Sequence, residues 1–561
     1  MALLDTYTGI WGESEASHLL RRAGFGGSKS ERQALAAMTL ADAVESLVCF
    51  DSADPYLDGP SQGNGAGFGA PLIDLPTEEP TDDTEPDYWA TRDLYQVRAH
   101  EYEWELRGYW SYRMRYSSQP FQEQLALFLH DHAPSGIRKV QDTIPFQVVL
   151  GNDGDPNGLL PEGWVQECTS GTLPYDPYRQ HFRAVQIILD QTNLYRTEGL
   201  NSFENLLLSI IRGPAMLVYL DNFLNVKGKP QENLAREMME LFSLGVGNYS
   251  ELDVFEVAKC ITGEGFPNFL CSTDYDDSSG FIRTSHEPGD KTVFGQSVPY
   301  HMFGYETDTV VNLIMNKNMG LDSPYDHLPA TAVHISWKIL TWFVDTNIQL
   351  SPPDDIVLEL ADYMVGDDSG TYPDRRYPYD LKATFGKLFR SEFFYDSSNR
   401  MNMYKTPPDF VVGAMKATEG TDFSYWMQES CVGMGMTLFE PPNVAGWLHG
   451  KNWLSSTALI ARYNFANRYA DAMQSAWSLY APNAAWIDAL SVTVNDHAGM
   501  ITLVADLLFH EPLTTEEITT LTTFLDDLPF SDITGWTEGI KRRKIASLMH
   551  VMMTMPKYQL K

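Results

Sequence analysis

The stretch that most constrains the fold of this chain runs from residue 231 to residue 263, QENLAREMMELFSLGVGNYSELDVFEVAKCITG. Apolar residues recur at helical spacing on both sides of a Gly-Val-Gly-Asn turn at 245–248. After this turn, Ser250 and Asp253 form a capping box in which Asp takes the usual place of Glu. The stretch therefore predicts two helices joined by a tight glycine turn.

The same helical periodicity recurs over most of the chain, whereas patterns typical of strands are sparse. With 561 residues, of which 43% are apolar, the chain can bury a sizeable core. We therefore expect a mainly α, multi-helix globular fold with long loops and few short strands.

Changes in composition divide the chain into four parts. Residues 1–50 form a predicted N-terminal helical segment, and residues 51–87 form a loop rich in Gly, Pro and acidic residues. We expect the acidic run in this loop to be a solvated surface rather than a metal site. Residues 88–470 form the predicted main helical domain with the site, and residues 471–561 a C-terminal helical segment packed on it.

Charge and composition argue against several classes of protein. The net charge is −35 and no basic stripe is present, which argues against a nucleic-acid-binding surface. There is no apolar run of about 18 residues, so no membrane span is predicted. The first residues lack a basic region followed by a long apolar run, so no signal peptide is recognisable and a cytoplasmic location is the default expectation. The five cysteines are scattered without a CxxC pair, which argues against a disulfide framework.

The absence of three common motifs argues against several enzyme classes. The sequence contains no GxSxG elbow, no Walker loop and no dinucleotide-binding fingerprint. Serine hydrolases of the elbow type, P-loop enzymes and nicotinamide enzymes are therefore poor interpretations of this chain.

Paired carboxylates make the helix after residue 231 a candidate site. Glu237 and Glu240 are three residues apart, so both carboxylates can reach one point, as metal binding or acid–base chemistry requires. The alternative is structural, with Arg236 and Glu240 forming an ion pair four residues apart.

The segment LFLHDH at 127–132 offers a second set of candidates, His130 and His132. An HxH pair at a helix C-terminus fits half of a metal site. The alternative is that the helix dipole favours histidine there, or that one ring is a core residue with its own hydrogen bonds.

Two loops complete the list of candidates. In GNDGDPNG (151–158), Asp153, Asp155 and Asn157 precede Gly158 in the pattern that begins a calcium-binding loop, although Trp164 stands where such a loop has Glu. The alternative is a surface turn rich in Asx residues. In HEPGDKTVFGQ (286–296), His286 and Lys291 lie on a glycine-containing loop followed by a short β-like stretch.

Several segments together resemble one bacterial family, domain of unknown function 1800 (DUF1800). The segments that carry the resemblance are HLLRRAGFG (18–26), LFLHDH (127–132), PAMLVYLD (214–221), QENLAREMMELFSLGVGNYSELDV (231–254), HEPGDKTVFG (286–295), KTPPDFVVGA (405–414), FEPPNVAGW (439–447), WLSSTALIARYNFA (453–466) and MPKYQLK (555–561). They follow in order over nearly the whole chain.

The resemblance implies a mostly helical family whose members are often exported and whose activity is unassigned. It carries over motif positions without catalytic roles: His18, Arg21, His130, His132, Asn233, Arg236, Glu237, Glu240, His286, Lys291, Asn443, Trp447 and Arg462. This chain differs from the pattern in lacking a recognisable export signal and in having the acidic insertion at 51–87.

Two functional hypotheses follow. In the first, the chain is a metal-supported enzyme of hydrolase or lyase type that acts on a polysaccharide or another anionic substrate. The catalytic candidates are His130, Arg236, Glu237, Glu240, His286 and Lys291. Zinc, manganese or iron would be bound by His130, His132, Glu237 and Glu240, with His286 near them. Arg21, Arg236 or Lys291 would hold an anionic group.

In the second hypothesis, the chain is a non-catalytic binding or cell-surface assembly protein. Calcium at Asp153, Asp155 and Asn157 would stabilise it, and its histidines and glutamates would belong to buried networks. Both hypotheses leave the oligomeric state open.

Overall fold

The computed structural model describes residues 3–49, 103–104, 106–143, 177–265, 280–281, 283–366, 377–420, 424–474, 494, 496–509, 511–528 and 538–561. Within these ranges the protein is mainly α, as the periodicity predicts. The predicted calcium loop at 151–158 and the acidic loop at 51–87 lie outside the described residues.

The described part of the chain contains the following α-helices, in chain order. They are α1 (Glu13–Arg22), α2 (Lys29–Ala36), α3 (Leu40–Val48), α4 (Pro120–His132), α5 (Pro177–Glu198), α6 (Phe203–Arg212), α7 (Pro214–Tyr219), α8 (Asn233–Glu240), α9 (Glu251–Cys260), α10 (Glu306–Met315), α11 (Ala330–Phe343), α12 (Asp355–Val365), α13 (Leu381–Phe389), α14 (Glu392–Tyr395), α15 (Pro407–Ala417), α16 (Ser424–Gly433), α17 (Ser456–Gln474), α18 (His497–Leu508), α19 (Thr515–Asp527) and α20 (Glu538–Thr554). Residues 106–116 and 137–143 are also helical. None of the described helices is long and apolar enough to cross a membrane.

Strands are few and short. β1 (Glu264–Gly265) pairs with β2 (Gly280–Phe281), and β3 (Lys291–Val293) pairs with β4 (Gln296–Val298), both antiparallel. The second hairpin contains the β-like stretch predicted after His286. Its turn consists of Phe294 and Gly295, both at positive φ.

The two helices predicted between 231 and 263 are confirmed as α8 and α9. Ser250 accepts a hydrogen bond from the Asp253 N–H at 3.3 Å, and the Ser250 N–H donates to the Asp253 carboxylate at 2.9 Å. Between the helices, Gly245 and Gly247 adopt positive φ values of 78° and 91°. The capping box and the two glycines therefore fix the sharp turn that separates α8 from α9.

Helix α4 is enclosed along its whole length, because all of its residues are buried. Its one buried glutamate, Glu123, accepts hydrogen bonds from Arg113 Nε at 2.6 Å and Arg196 Nη2 at 2.9 Å. Burial alone would raise the pKa of Glu123, but the two guanidinium groups hold it below its ordinary value. This ion triad ties α4 to α5 and to the helix at 106–116, and it fixes the position of the polar residues at the C-terminal end of α4.

Candidate functional site

The C-terminal end of α4 presents a carboxylate to a histidine from a distant loop. His449 Nε2 donates a hydrogen bond to Asp131 Oδ2 at 3.0 Å, and the Trp447 N–H donates to Asp131 Oδ1 at 2.8 Å. The Asp131 side chain is 7% exposed, whereas that of His449 is 38% exposed. The carboxylate is thus buried and held from two sides, while the imidazole reaches the surface.

The loop can approach α4 this closely only because residue 446 is glycine. A Cβ atom at Gly446 would lie 2.4 Å from the Asp131 carbonyl oxygen and 2.5 Å from Oδ1. Gly446 also has a φ of 81°, a conformation that L side chains rarely adopt. The sequence GWLHG therefore positions His449 through a main-chain contact with Asp131.

This hydrogen bond determines which ring nitrogen of His449 can act as a base. A carboxylate accepts, so Nε2 carries the proton and Nδ1 of the neutral ring keeps its lone pair. A buried carboxylate that orients a half-exposed imidazole is the arrangement of a general base. The pair can accept a proton at Nδ1 and stabilise the resulting imidazolium.

Lys338, on α11, adds a cation to the same region. Within the described ranges its Nζ has no hydrogen-bond acceptor, and it lies 5.5 Å from the centroid of the Trp337 ring. Burial lowers the pKa of Lys338, while the Asp131 carboxylate acts in the opposite direction. Lys338 therefore places a positive charge within electrostatic range of the Asp131 carboxylate.

Two further histidines face the same interior. His132 Nε2 donates to the Phe242 carbonyl at 3.1 Å, and His334 Nε2 donates to the Leu241 carbonyl at 3.3 Å. These carbonyls follow the end of α8, so the two rings cap it together. For neither Nδ1 atom do the described residues supply a hydrogen-bond partner.

Both of these rings are neutral at ordinary pH. Burial, with the positive charge of Lys338, lowers the pKa of His334 to about 3 and that of His132 well below its usual range. A Cβ atom at Gly245 would lie 2.9 Å from His334 Nδ1, so the glycine turn after α8 leaves the space beside that nitrogen. The result is two unprotonated Nδ1 atoms in a buried, electropositive setting.

His130, one of the predicted ligands, lies in a different environment. Its ring packs against Trp110, Phe439 and Trp447 at centroid distances of 5.5, 5.6 and 5.6 Å. Both ring nitrogens lack a partner among the described residues, and burial lowers the pKa of His130 to about 4. His130 is thus a neutral ring in an aromatic box, separate from the contacts of His132.

The paired glutamates of α8 do lie close together, but their surroundings differ from the expected ones. Burial and the nearby Glu240 charge raise the pKa of Glu237, and Glu240 accepts a hydrogen bond from the Tyr249 hydroxyl. The Arg236–Glu240 ion pair, which was the structural alternative, is replaced by bonds from Arg236 to Glu251 at 2.7 Å and Glu232 at 3.1 Å. The reason is that Glu251, at the start of α9, lies across the turn from Arg236.

His286 and Lys291 meet at a third place, around Glu306 on α10. His286 Nε2 lies 2.8 Å and Lys291 Nζ 3.2 Å from Glu306 Oε1, and His286 Nδ1 donates to the Thr262 carbonyl at 2.7 Å. Burial would raise the pKa of Glu306, but hydrogen bonds from His301 N–H and His286 lower it. This buried network ties the hairpin to α9 and α10.

The predicted metal cluster is therefore not assembled in the part of the chain that the structure describes. Within those ranges, no group of three or more His, Cys, Asp or Glu residues could hold a metal ion. Because His130, His132 and His286 contact different residues, their spacing in the sequence does not translate into a common centre. Asp153, Asp155 and Asn157 lie outside the described residues.

Four residues of the Asp131–His449 region were not among the predicted site residues: Asp131, His334, Lys338 and His449. Two of them, Asp131 and His449, lie in or next to sequence segments that already carried the family resemblance. Asp131 lies inside LFLHDH, and His449 follows FEPPNVAGW by two residues. His334 and Lys338 are four residues apart on α11 and share one face, which periodicity could have indicated.

Comparison with known proteins gives one result. A family model described as "Protein of unknown function (DUF1800)" matches residues 18–148 and 179–560, which include all four of these residues. No curated protein and no solved structure matches the chain.

Proposed function

The chain belongs to the DUF1800 family, and from the geometry at the end of α4 we propose that it is an acid–base enzyme of hydrolase or lyase type. The observation that carries the proposal is the 3.0 Å hydrogen bond between buried Asp131 and half-exposed His449, with the Lys338 ammonium beside it. His449 Nδ1 is the base, Asp131 orients the ring, and Lys338 stabilises negative charge.

Lys338 favours an anionic substrate, and an acidic polysaccharide is the class that we propose. An ammonium group next to a sugar carboxylate would make the adjacent C–H more acidic. His449 Nδ1 would then take that proton, and the electron pair of the C–H bond would form a C=C bond. The C–O bond to the neighbouring sugar would break, and the leaving oxygen would keep its electron pair. The leaving oxygen takes up one proton in place of the one that His449 accepts, so the elimination balances without a co-reactant.

A metal-supported form of the same proposal would place zinc, manganese or iron at Nδ1 of His132 and His334. Its support is that each ring donates its other N–H to a main-chain carbonyl, as histidine ligands of metals do. Two nitrogen atoms leave the other metal positions to water or substrate. The positive charge of Lys338 opposes a cation there, and for that reason the metal-free form is our first proposal.

The test is a screen of acidic polysaccharides with the purified protein. Near-ultraviolet absorbance detects the unsaturated product of elimination, and a reducing-end assay detects hydrolysis. We expect His449→Gln to lose on the order of 10²-fold or more of the activity. His327→Gln is the matched control, because His327 also bonds an aspartate, Asp362, at 2.7 Å but is exposed.

The outcomes separate the hypotheses. Equal activity in His449→Gln and wild type would overturn the role of the Asp131–His449 pair. Loss of activity on dialysis against a chelator, together with about one zinc, manganese or iron per chain by elemental analysis, would favour the metal-supported form. Binding of a polysaccharide without turnover, with calcium as the bound metal, would favour the binding or cell-surface assembly protein.

A further inference from the structure

A second buried site lies where the N-terminal and C-terminal parts of the described chain meet. It is a cavity of about 20 Å³, room for one small guest. Its polar lining consists of Arg21, Lys405, Asp409, Tyr558 and Lys561. Three segments that carry the family resemblance, at 18–26, 405–414 and 555–561, thus converge on one small space.

The charges in this lining do not balance. Among the described side chains of the cavity wall, Asp409 is the one carboxylate against three cationic groups, those of Arg21, Lys405 and Lys561. Lys561 Nζ is paired with Asp409 Oδ2 at 2.6 Å. Among the described residues, Arg21 donates to two neutral acceptors, the Leu508 carbonyl and the Met401 sulfur, each at 3.0 Å.

Lys405 is the cation that most needs a partner. Its side chain is 6% exposed, and its Nζ lies 3.4 Å from the centroid of the Tyr558 ring. No described residue supplies a hydrogen-bond acceptor for this ammonium group. A ring face offsets only part of the desolvation of a buried cation, because it accepts no strong hydrogen bond.

Two more buried arginines, which do not line the cavity but lie next to its lining residues, increase the excess of positive charge. Arg462 donates to the Lys405 carbonyl at 2.7 Å and to Gln559 at 3.2 Å, and Arg22 donates to the Asn399 carbonyl at 2.7 Å. All of these acceptors are neutral. The local excess of positive charge contrasts with the net charge of −35 for the whole chain.

We propose that this cavity binds a small inorganic anion of about halide size, held by Lys405 and Arg21. Buried charge without a counter-charge destabilises a fold, so an anion at this position stabilises the folded state. The volume admits a guest slightly larger than water, which sets the size class. The bound ion would tie α1 to the loop before α15 and to residues 555–561.

The first experiment is a thermal-unfolding titration of the full chain. Sodium bromide replaces sodium gluconate at constant ionic strength, so that the charge concentration is fixed while a small anion replaces one too large for the cavity. We expect a saturable rise in Tm, on the order of a few degrees, because the ion binds only the folded state. Lys405→Met should abolish this rise. The control Lys29→Met, at a half-exposed lysine paired with Asp506, should keep it.

A second experiment keeps the proposal testable if Lys405→Met does not fold. Crystals of the wild-type protein grown in bromide should show an anomalous scattering peak within the cavity, next to Lys405 Nζ. No peak there, or the same Tm rise in Lys405→Met as in wild type, would overturn the anion site. In that case Lys405 would be uncharged in the folded protein. Burial lowers the pKa of this lysine well below its usual range, which favours loss of its proton.

Discussion

His449 donates a hydrogen bond to Asp131 across 318 positions of the chain, at a distance of 3.0 Å. The contact joins the last turn of the fully buried helix α4 to a surface loop. A buried carboxylate of this kind has a clear structural use, because it fixes the loop. It also has a chemical use, because it fixes the tautomer of an imidazole that reaches solvent.

Asp131→Asn should separate these two uses. The amide keeps the shape of the side chain and can still accept from the Trp447 N–H, so we expect the fold to persist. The amide no longer stabilises an imidazolium, and we expect activity to fall by about 10²- to 10⁴-fold. Initial rates on the polysaccharide identified in the screen provide the measurement. Asp221→Asn is the control, because Asp221 pairs with Lys139 on the surface.

The glycine turn after α8 gives a second prediction. Gly245→Ala would place a Cβ atom 2.9 Å from His334 Nδ1 at a φ of 78°, whereas Gly247→Ala meets nothing within 4 Å at a φ of 91°. Both variants carry the cost of a left-handed alanine, roughly 1–2 kcal/mol. Only Gly245→Ala adds the close contact, and we expect it to lose a further ~1–3 kcal/mol in urea unfolding. Equal losses in both variants would mean that His334 moves aside without cost.

A third prediction concerns the ion triad in the core. Glu123→Gln leaves the guanidinium groups of Arg113 and Arg196 buried without a counter-charge. We expect the free energy of unfolding to fall by roughly 3–5 kcal/mol, as when one partner of a buried ion pair is removed. Urea unfolding monitored by circular dichroism measures it. Glu251→Gln removes an exposed partner of Arg236 and should change stability little.

The parts of this structure that local sequence determines were predictable. Helix periodicity gave the mainly α fold, and the Ser250–Asp253 capping box gave the start of α9. The proximity of Glu237 and Glu240 also follows from spacing on one helix. These features depend on residues three or four positions apart, where the geometry of the helix alone decides what can meet.

The parts that depend on tertiary packing were not predictable in the same way. Spacing alone could not show that His130 enters an aromatic box formed by Trp110, Phe439 and Trp447. Nor could it show that Arg236 would bond Glu251 across the turn instead of Glu240. The Asp131–His449 pair needs the loop at 446–449 to lie on the end of α4, a long-range contact that no local pattern encodes.

His130 gives the last prediction, which concerns pH. Burial lowers its pKa to about 4, whereas an exposed histidine of the unfolded chain titrates near 6.5. Between these pH values the unfolded state binds a proton that the folded state does not, so stability decreases as the pH falls. The neutral ring contributes its full share of stability above pH 6.5. As the pH falls to 4, roughly 3 kcal/mol of the free energy of unfolding is lost through this one ring. In His130→Leu this contribution disappears, and the free energy of unfolding should decline less steeply between pH 6.5 and 4. Urea unfolding across this range gives the slope.

Because the other buried histidines keep their contributions in both proteins, the difference in slope belongs to His130. Identical slopes would mean that the ring gains a proton inside its aromatic box, which would require a polar partner beyond Trp110, Phe439 and Trp447.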